Sequence, residues 1–124
     1  MEREYNKGNE ILNLSFEFAC QLVYFSDKLA ERKKYVISVQ LLRSGTSIGA
    51  NIREAQFPES RKDFYHKMKI AAKEASETEF WLDLIAETKI EEVSPGVREQ
   101  LKSIINLLSR ILTTTRKGMN QQIK

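Results

Sequence analysis

The sequence predicts an all-α protein that folds as an up-down-up-down antiparallel four-helix bundle. Apolar residues recur every three or four positions in four long segments, which is the period of a helix with one buried face. The two prolines, Pro58 and Pro95, fall between these segments, and no stretch shows the strict alternation of a strand. Short connections between long helices favour antiparallel neighbours. We therefore expect the 124 residues to form one domain.

The first helix is predicted over residues 9–31 and the second over residues 36–56. The basic turn Arg32-Lys33-Lys34 lies between them and is expected to be solvated. At helical spacing the first helix has one wide apolar face, which suits contact with more than one neighbouring helix. That face comprises Ile11, Leu14, Phe18, Leu22, Phe25 and Leu29, widened by Phe16 and Tyr24.

The third helix is predicted over residues 60–87, after the break that Pro58 introduces. Ser60 is expected to be its N-cap, with Asp63 three residues later completing a capping box. Its inward face should carry Phe64, Met68, Ala71, Ala75, Thr78, Leu82 and Ile85.

The fourth helix is predicted over residues 95–117. Ser94 is its expected N-cap, because the proline that follows is well suited to a first helical turn. Gly118 is predicted to stop this helix, which would leave residues 118–124 as a flexible tail. The expected inward face comprises Val97, Leu101, Ile104, Leu108, Ile111 and Thr115.

Residues 40–54 read QLLRSGTSIGANIRE and place two different rows of side chains on one helix. Glycine inside a helix costs about 1 kcal/mol relative to alanine, so Gly45 and Gly49 predict close packing against another helix. The apolar row comprises Ile37, Leu41, Gly45, Ile48, Ile52 and Ala55. The polar row consists largely of short hydrogen-bonding side chains, namely Gln40, Arg43, Ser47, Asn51 and Glu54.

This stretch resembles the small bacterial four-helix-bundle proteins encoded in 23S rRNA intervening sequences, whose fold the retroelement accessory variability proteins share. In that family a Gln-x-x-Arg step leads into Ser-Ile-x-x-Asn-Ile and an acidic residue. The matching residues here are Gln40, Arg43, Ser47, Ile48, Asn51, Ile52 and Glu54. A second similar block spans residues 71–82 and includes Glu77 and Leu82. The family commonly has glycine after the acidic residue, whereas this chain has Ala55-Gln56-Phe57.

The resemblance implies a homopentameric barrel that associates with nucleic acid, and it does not imply an enzyme. Charge is consistent with such a partner: the net charge is +3, and after Glu99 the chain has five basic residues and no acidic one. No aromatic interleaving suggests a base-stacking platform, so we expect contacts to the phosphate backbone of RNA or DNA without sequence readout. The candidate basic residues are Arg61, Lys62, Lys67, Lys69, Lys73, Lys102, Arg110, Arg116 and Lys117.

Several polar and aromatic residues are expected to hold the bundle or its subunit contacts together. Asn51 is either a ligand contact or, more simply, a buried polar residue that bonds to a neighbouring helix through Gln40 or Glu77. Arg43 and Glu54 are expected to form a salt bridge, either within the bundle or between subunits. Glu74, Glu77, Asp83 and Glu87 are alternative partners for Arg43 and Arg53, or a solvated face. Of the adjacent Phe80 and Trp81, at most one can point fully into the core. The predicted structural or interface residues are Gln40, Arg43, Gly45, Ser47, Gly49, Asn51, Glu54, Glu77 and Trp81.

The sequence offers no convincing catalytic or metal site. Arg61 and His66 have an Arg-x-x-x-x-His spacing similar to the one found in HEPN ribonucleases. A surface arginine and a partly exposed histidine explain the spacing more simply. One histidine and one cysteine cannot build a typical zinc site, and Cys20 is expected to be an inert core thiol. We expect no cofactor, no membrane span and a cytoplasmic protein.

The sequence thus favours a non-enzymatic homo-oligomeric scaffold or adaptor that binds nucleic acid through its basic surface. Two alternatives from other classes remain. One is a protein-binding module that engages another polypeptide through a groove beside the second helix. The other is a HEPN-like ribonuclease that uses Arg61 and His66.

Overall fold

The computed structural model describes residues 9–123, with side chains through residue 121. In this part of the chain there are four helices and no strand: α1 (Glu10–Glu31), α2 (Tyr35–Ala55), α3 (Arg61–Glu87) and α4 (Pro95–Ile123). Each helix packs on its neighbours in the order α1, α2, α3, α4, and α4 packs back on α1. The chain is therefore all-α, and its helices surround one common core.

The core is a continuous column of aliphatic side chains from all four helices. Its residues follow the 3.6-residue period of each helix, so every helix buries one stripe. Phe18 is the largest fully buried side chain on α1. The other fully buried large side chains are Leu22, Leu29, Leu41, Ile48, Ile52, Met68, Leu82, Ile85, Leu101, Ile104 and Leu108.

Side-chain caps fix where the later helices begin. The Ser60 hydroxyl accepts a hydrogen bond from the backbone N–H of Asp63 at 3.0 Å, and Asp63 in turn accepts from the N–H of Glu59 at 3.1 Å. Ser94 accepts from the N–H of Val97 at 3.3 Å, directly before the proline that opens α4. Both caps are the ones that the sequence predicts.

Two lysines take the left-handed backbone conformation that usually favours glycine. Lys33, after α1, has φ 61°, and Lys89, after α3, has φ 56°. In each case the following N–H reaches back to the last turn: Lys34 N to Leu29 O at 2.9 Å, and Ile90 N to Ile85 O at 3.2 Å. These bonds satisfy carbonyl groups that the helix end would leave unpaired, so they offset the cost of the positive φ.

The end of α4 differs from the prediction. The helix continues through Gly118 to Ile123, whereas Gly118 was expected to stop it and residues 118–124 to be flexible. Glycine can end a helix but does not have to, and the residues that follow include no proline. A Cβ placed on Gly118 would lie 2.6 Å from Arg61 Nη1, so the missing side chain leaves room for that arginine. Lys124 lies outside the described residues.

Candidate subunit and nucleic-acid interfaces

The outer seam between α2 and α3 is polar. Arg43 on α2 forms an ion pair with Glu74 at 3.4 Å and a second, shorter one with Glu77, both on α3. Glu77 also accepts a hydrogen bond from Trp81 Nε1 at 3.0 Å, and Gln40 accepts from Arg43 Nε at 3.2 Å. One carboxylate therefore joins an arginine and a tryptophan across two helices.

A buried hydroxyl pair lies beneath this seam. Thr78 Oγ1 donates to Ser44 Oγ at 2.9 Å, and both residues are fully buried. The Ser44 hydroxyl also lies 3.3 Å from the carbonyl of Leu41. The sequence predicts Thr78 on the inward face but not this bond, because helical spacing does not reveal which polar groups meet across two helices.

Further along the seam, Glu54 on α2 pairs with Lys67 on α3, with Nζ to Oε1 at 2.9 Å. The hydrogen bond and the negative charge of Glu54 raise the pKa of the Lys67 ammonium group above its ordinary value. The predicted ion pair between Arg43 and Glu54 is wrong for the single chain, because each residue has a partner on α3 instead. Glu74 and Glu77 are the Arg43 partners that the alternative anticipated.

Asn51 does not make the predicted bond to Gln40 or Glu77. Its side-chain amide donates to the carbonyl of Ser47, one turn earlier on α2, at 2.8 Å. A short polar side chain in a helix competes well for the carbonyl four residues before it. Asn51 and Ser47 are both half-buried, and they continue the α2 row that begins with Gln40 and Arg43.

The two glycines of α2 differ in how tightly they are packed. A Cβ on Gly45 would overlap Cδ1 of the fully buried Leu22, so Gly45 is required for close contact with α1. A Cβ on Gly49 would lie 3.5 Å from Ser15 O, which is an ordinary contact. Close packing is thus demanded at Gly45, and Gly49 has room for a methyl group.

An open groove runs along the outer side of the α1–α2 pair. On α1 it follows Leu12, Phe16 and Ala19, at steps of four and three. Such a 3–4 pattern is the spacing of a seam that accepts another helix. Phe16 is 40% exposed. The complete lining is Leu12, Ser15, Phe16, Ala19, Thr46, Gly49, Ala50, Arg53 and Glu54.

The apolar stripe extends beyond the groove on both helices. Val23 follows Ala19 by four residues on α1, and Val39 precedes Thr46 by seven residues on α2. At 3.6 residues per turn, each lies on the same outward face as its groove neighbour. Val23 is 44% exposed and Val39 62% exposed. This surface, which we call the α1–α2 face, is mostly apolar.

Three of the predicted basic residues share one exposed face of α3. Lys62, Lys69 and Lys73 follow one another at steps of seven and four, with His66 between the first two. All four side chains are exposed. Among the described residues, no carboxylate lies within ion-pair distance of these lysines. We call Lys62, His66, Lys69 and Lys73 the α3 basic stripe.

The remaining candidate basic residues do not join this stripe. Lys67 faces α2 in its pair with Glu54, and Arg61 faces the end of α4 at Gly118. Lys102, Arg110, Arg116 and Lys117 are exposed on α4. Lys102 and Lys117 are separated by about 22 Å of helix at 1.5 Å per residue. The predicted set therefore divides into a stripe on α3 and a dispersed group on α4.

Phe80 and Trp81 separate as adjacent helical residues must. Trp81 is half-buried and packs against the core, whereas Phe80 is 56% exposed. Their rings meet edge to face, with centroids 5.1 Å apart and planes at 73°. Phe80 lies eighteen residues after Lys62, which is about five full turns, so it points in the same direction as the basic stripe.

The predicted catalytic alternative has no assembled site within one chain. Arg61 and His66 are five residues apart, about 140° around α3. Arg61 lies beside α4, and His66 is in the exposed stripe. Among residues 9–121, no cluster of three or more histidine, cysteine, aspartate and glutamate side chains could hold a metal ion. Cys20 is a free, half-buried thiol on α1.

None of the helices in the described range is long and apolar enough to span a bilayer.

Comparison with known proteins agrees with this architecture. The family model described as 23S rRNA-intervening sequence protein matches residues 7–114. A crystal structure of a protein of unknown function from the S23 ribosomal protein family of Bacteroides thetaiotaomicron VPI-5482 is 45% identical. The match covers 85% of this chain and 94% of that one, with a TM-score of 0.65. No curated protein matches the chain. The chain belongs to the 23S rRNA-intervening sequence protein family.

Proposed function

We propose that this family member is a non-enzymatic, homo-oligomeric scaffold that binds nucleic acid, with the α1–α2 face as its subunit contact and the α3 basic stripe as its nucleic-acid contact. The observation that carries the proposal is the segregation of the surface. Apolar side chains lie open along one pair of helices, and exposed cations lie along the helix diagonal to α1. Subunits can then meet on one side while phosphates bind on another.

The α1–α2 face supports the oligomer. Val23, Val39 and the groove lining expose apolar surface in a continuous strip, which monomers rarely leave uncovered. The 3–4 spacing on α1 fits knobs-into-holes packing with a helix of another subunit. The resemblance to proteins encoded in intervening sequences, and through them to the retroelement accessory variability proteins, sets the expected number of subunits at five.

The α3 basic stripe supports the nucleic-acid contact. Lys62, Lys69 and Lys73 extend over about 16 Å of helix, and each ammonium group is available to a phosphate. Displaced counterions make such binding strongly dependent on salt. In a pentamer the stripe is repeated on every subunit, so several weak contacts act together on one long nucleic acid.

Fluorescence anisotropy across a salt series tests this contact. The triple variant Lys62→Gln, Lys69→Gln, Lys73→Gln should bind a generic RNA or DNA more weakly. Its log–log salt slope should be shallower by about two to three for each subunit in contact with the nucleic acid, because each such subunit then neutralises up to three fewer phosphates. A control with the same reduction of charge is Lys28→Gln, Lys33→Gln, Lys34→Gln, on exposed positions at the opposite end of the bundle. Equal weakening in both triples would contradict a localised stripe, and no binding by the wild type at low salt would contradict the proposal.

A second candidate function rests on the same groove. If the α1–α2 face binds a helix of a different protein instead of another subunit, the chain is a protein-binding module. The Arg53 side chain in the groove would then require an acidic residue from that partner. A monomeric mass at micromolar concentration, with the apolar face still exposed, would favour this module over the scaffold.

A further inference from the structure

The α3 basic stripe continues into an aromatic ring. Lys73 and Phe80 are separated by seven residues, or about 10.5 Å of helix, and point in the same direction. The exposed Ser76 and the partly exposed Glu77 flank the line between them. The carboxylate of Glu77 points to the side, into its bonds with Arg43 and Trp81. A polymer that follows the lysines therefore reaches an exposed aromatic ring, and the one carboxylate beside its path, Glu77, is paired with Arg43.

Phe80 is held in place for such a contact. Trp81 supports its ring edge to face, and Trp81 itself is fixed by the core and by its hydrogen bond to Glu77. A ring that is already restrained loses little conformational entropy when another flat group stacks on it. Single-stranded nucleic acids bind to surfaces that combine cations along the backbone with aromatic rings under the bases.

We propose that α3 is a binding track for single-stranded nucleic acid, in which Lys62, His66, Lys69 and Lys73 contact phosphates and Phe80 stacks on a base. This inference rests on the proposed nucleic-acid function and narrows its ligand. A surface that used charge alone would favour duplex, which carries the higher charge density. Stacking requires an unpaired base, so the Phe80 contact shifts the preference towards the single strand.

The experiment compares labelled oligonucleotides of ~12 nucleotides, within the usual site size for single-strand binders. The probes are oligothymidine DNA, oligouridine RNA and a mixed-sequence duplex, and the readout is the anisotropy Kd at fixed salt. Phe80→Ala should weaken binding of both single strands about fivefold or more and leave the duplex Kd unchanged within about twofold. Phe80→Trp, which retains a ring to stack on, should restore single-strand binding.

Tyr24→Ala is the matched control, because Tyr24 is an exposed aromatic residue on α1, away from the stripe. It should leave every Kd unchanged. Equal weakening for duplex and single strand in Phe80→Ala, or no weakening at all, would overturn the stacking contact while leaving the basic stripe in place. A changed assembly mass in Phe80→Ala would also overturn it, since Phe80 would then be a subunit contact. If the wild type binds none of the probes at low salt, the proposed function itself fails.

Discussion

The two sides of α2 are built differently. Towards α3, the chain closes the seam with its own polar bonds: Arg43 to Glu74 and Glu77, and Lys67 to Glu54. Towards α1, the described cross-helix hydrogen bonds lie near the two ends of the pair. Between these ends α1 and α2 pack mainly through apolar side chains, with the buried Ser15 against Gly49, and the outer edge of the contact remains an open groove.

The difference indicates which side of α2 makes its outer contacts within one chain and which side leaves apolar surface for a partner. The ion pairs on the outside of the α2–α3 seam are partly exposed, so a partner that covered them would have to remove their charged groups from water. When another surface covers the apolar residues of the α1–α2 face, the free energy falls by about 25 cal/mol per Å² of apolar area buried. We therefore propose the α1–α2 face, and not the α2–α3 seam, as the subunit contact.

The largest effect is expected inside the α1–α2 contact. Gly45→Ala places a methyl group on the buried Leu22, so it should have a free energy of unfolding ~1–3 kcal/mol below that of Gly49→Ala, which is the usual cost of overpacking. Gly49→Ala is the matched control, four residues later, where the methyl fits and better helix propensity should stabilise by up to ~1 kcal/mol. Urea unfolding at one fixed protein concentration measures both. Similar values for the two variants would show that the tight contact at Gly45 is absent.

A smaller destabilisation is expected when the buried bond of the α2–α3 seam is removed. Thr78→Val keeps the shape but removes both the bond to Ser44 across the helices and the 2.8 Å bond to the Glu74 carbonyl of its own helix, which should cost ~1–2 kcal/mol. Thr88→Val, at an exposed position with hydrogen bonds only to its own helix, should cost less. Thermal melts of the two variants measure these destabilisations. An equal destabilisation for both would mean that the buried bond between Thr78 and Ser44 adds nothing to stability.

The smallest effect is expected at the exposed ion pairs. Glu77→Gln retains an acceptor for Trp81 but removes the charge opposite Arg43, whose side chain is 46% exposed. Solvent screening limits the expected destabilisation to ~0.5 kcal/mol or less, and ~1 M salt should abolish the difference from wild type. Unfolding measured at low and high salt checks this. A large destabilisation that persists in high salt would mean that the seam depends on packing at Glu77 rather than on charge.

The helices and their starts could be predicted from the sequence because the responsible interactions are local. The apolar period and the N-cap hydrogen bonds each involve residues only a few positions apart. The structure confirms Ser60 and Ser94 as N-caps. The predicted end of α4 at Gly118 is wrong. Glycine permits a helix to stop but does not force it to. Arg61 lies beside Gly118 in the space that a side chain there would fill, and this contact between α3 and α4 cannot be read from the local sequence.

Partners across helices could not be predicted in the same way. Glu54 and Asn51 lie in the predicted polar row, but each had several chemically equivalent partners within reach. In the structure Glu54 pairs with Lys67, and Asn51 donates a hydrogen bond to a carbonyl of its own helix. By contrast, the alignment of Phe80 with Lys62 is present in the sequence as an eighteen-residue spacing. Grouping basic residues by charge alone hides it, whereas sorting them by helix face reveals it.

The proposed role of the α1–α2 face as the subunit contact is tested most directly by the assembly mass of two variants in which an alanine is replaced by glutamate. Ala50→Glu puts a carboxylate into the groove, whereas Ala86→Glu makes the same change at an exposed position of α3 outside it. Light scattering of the wild type and of Ala86→Glu should give about five times the chain mass of 14.4 kDa, and Ala50→Glu should give a smaller species. A wild-type mass of one chain, or an intact assembly in Ala50→Glu, would contradict the assignment of this face as the subunit contact.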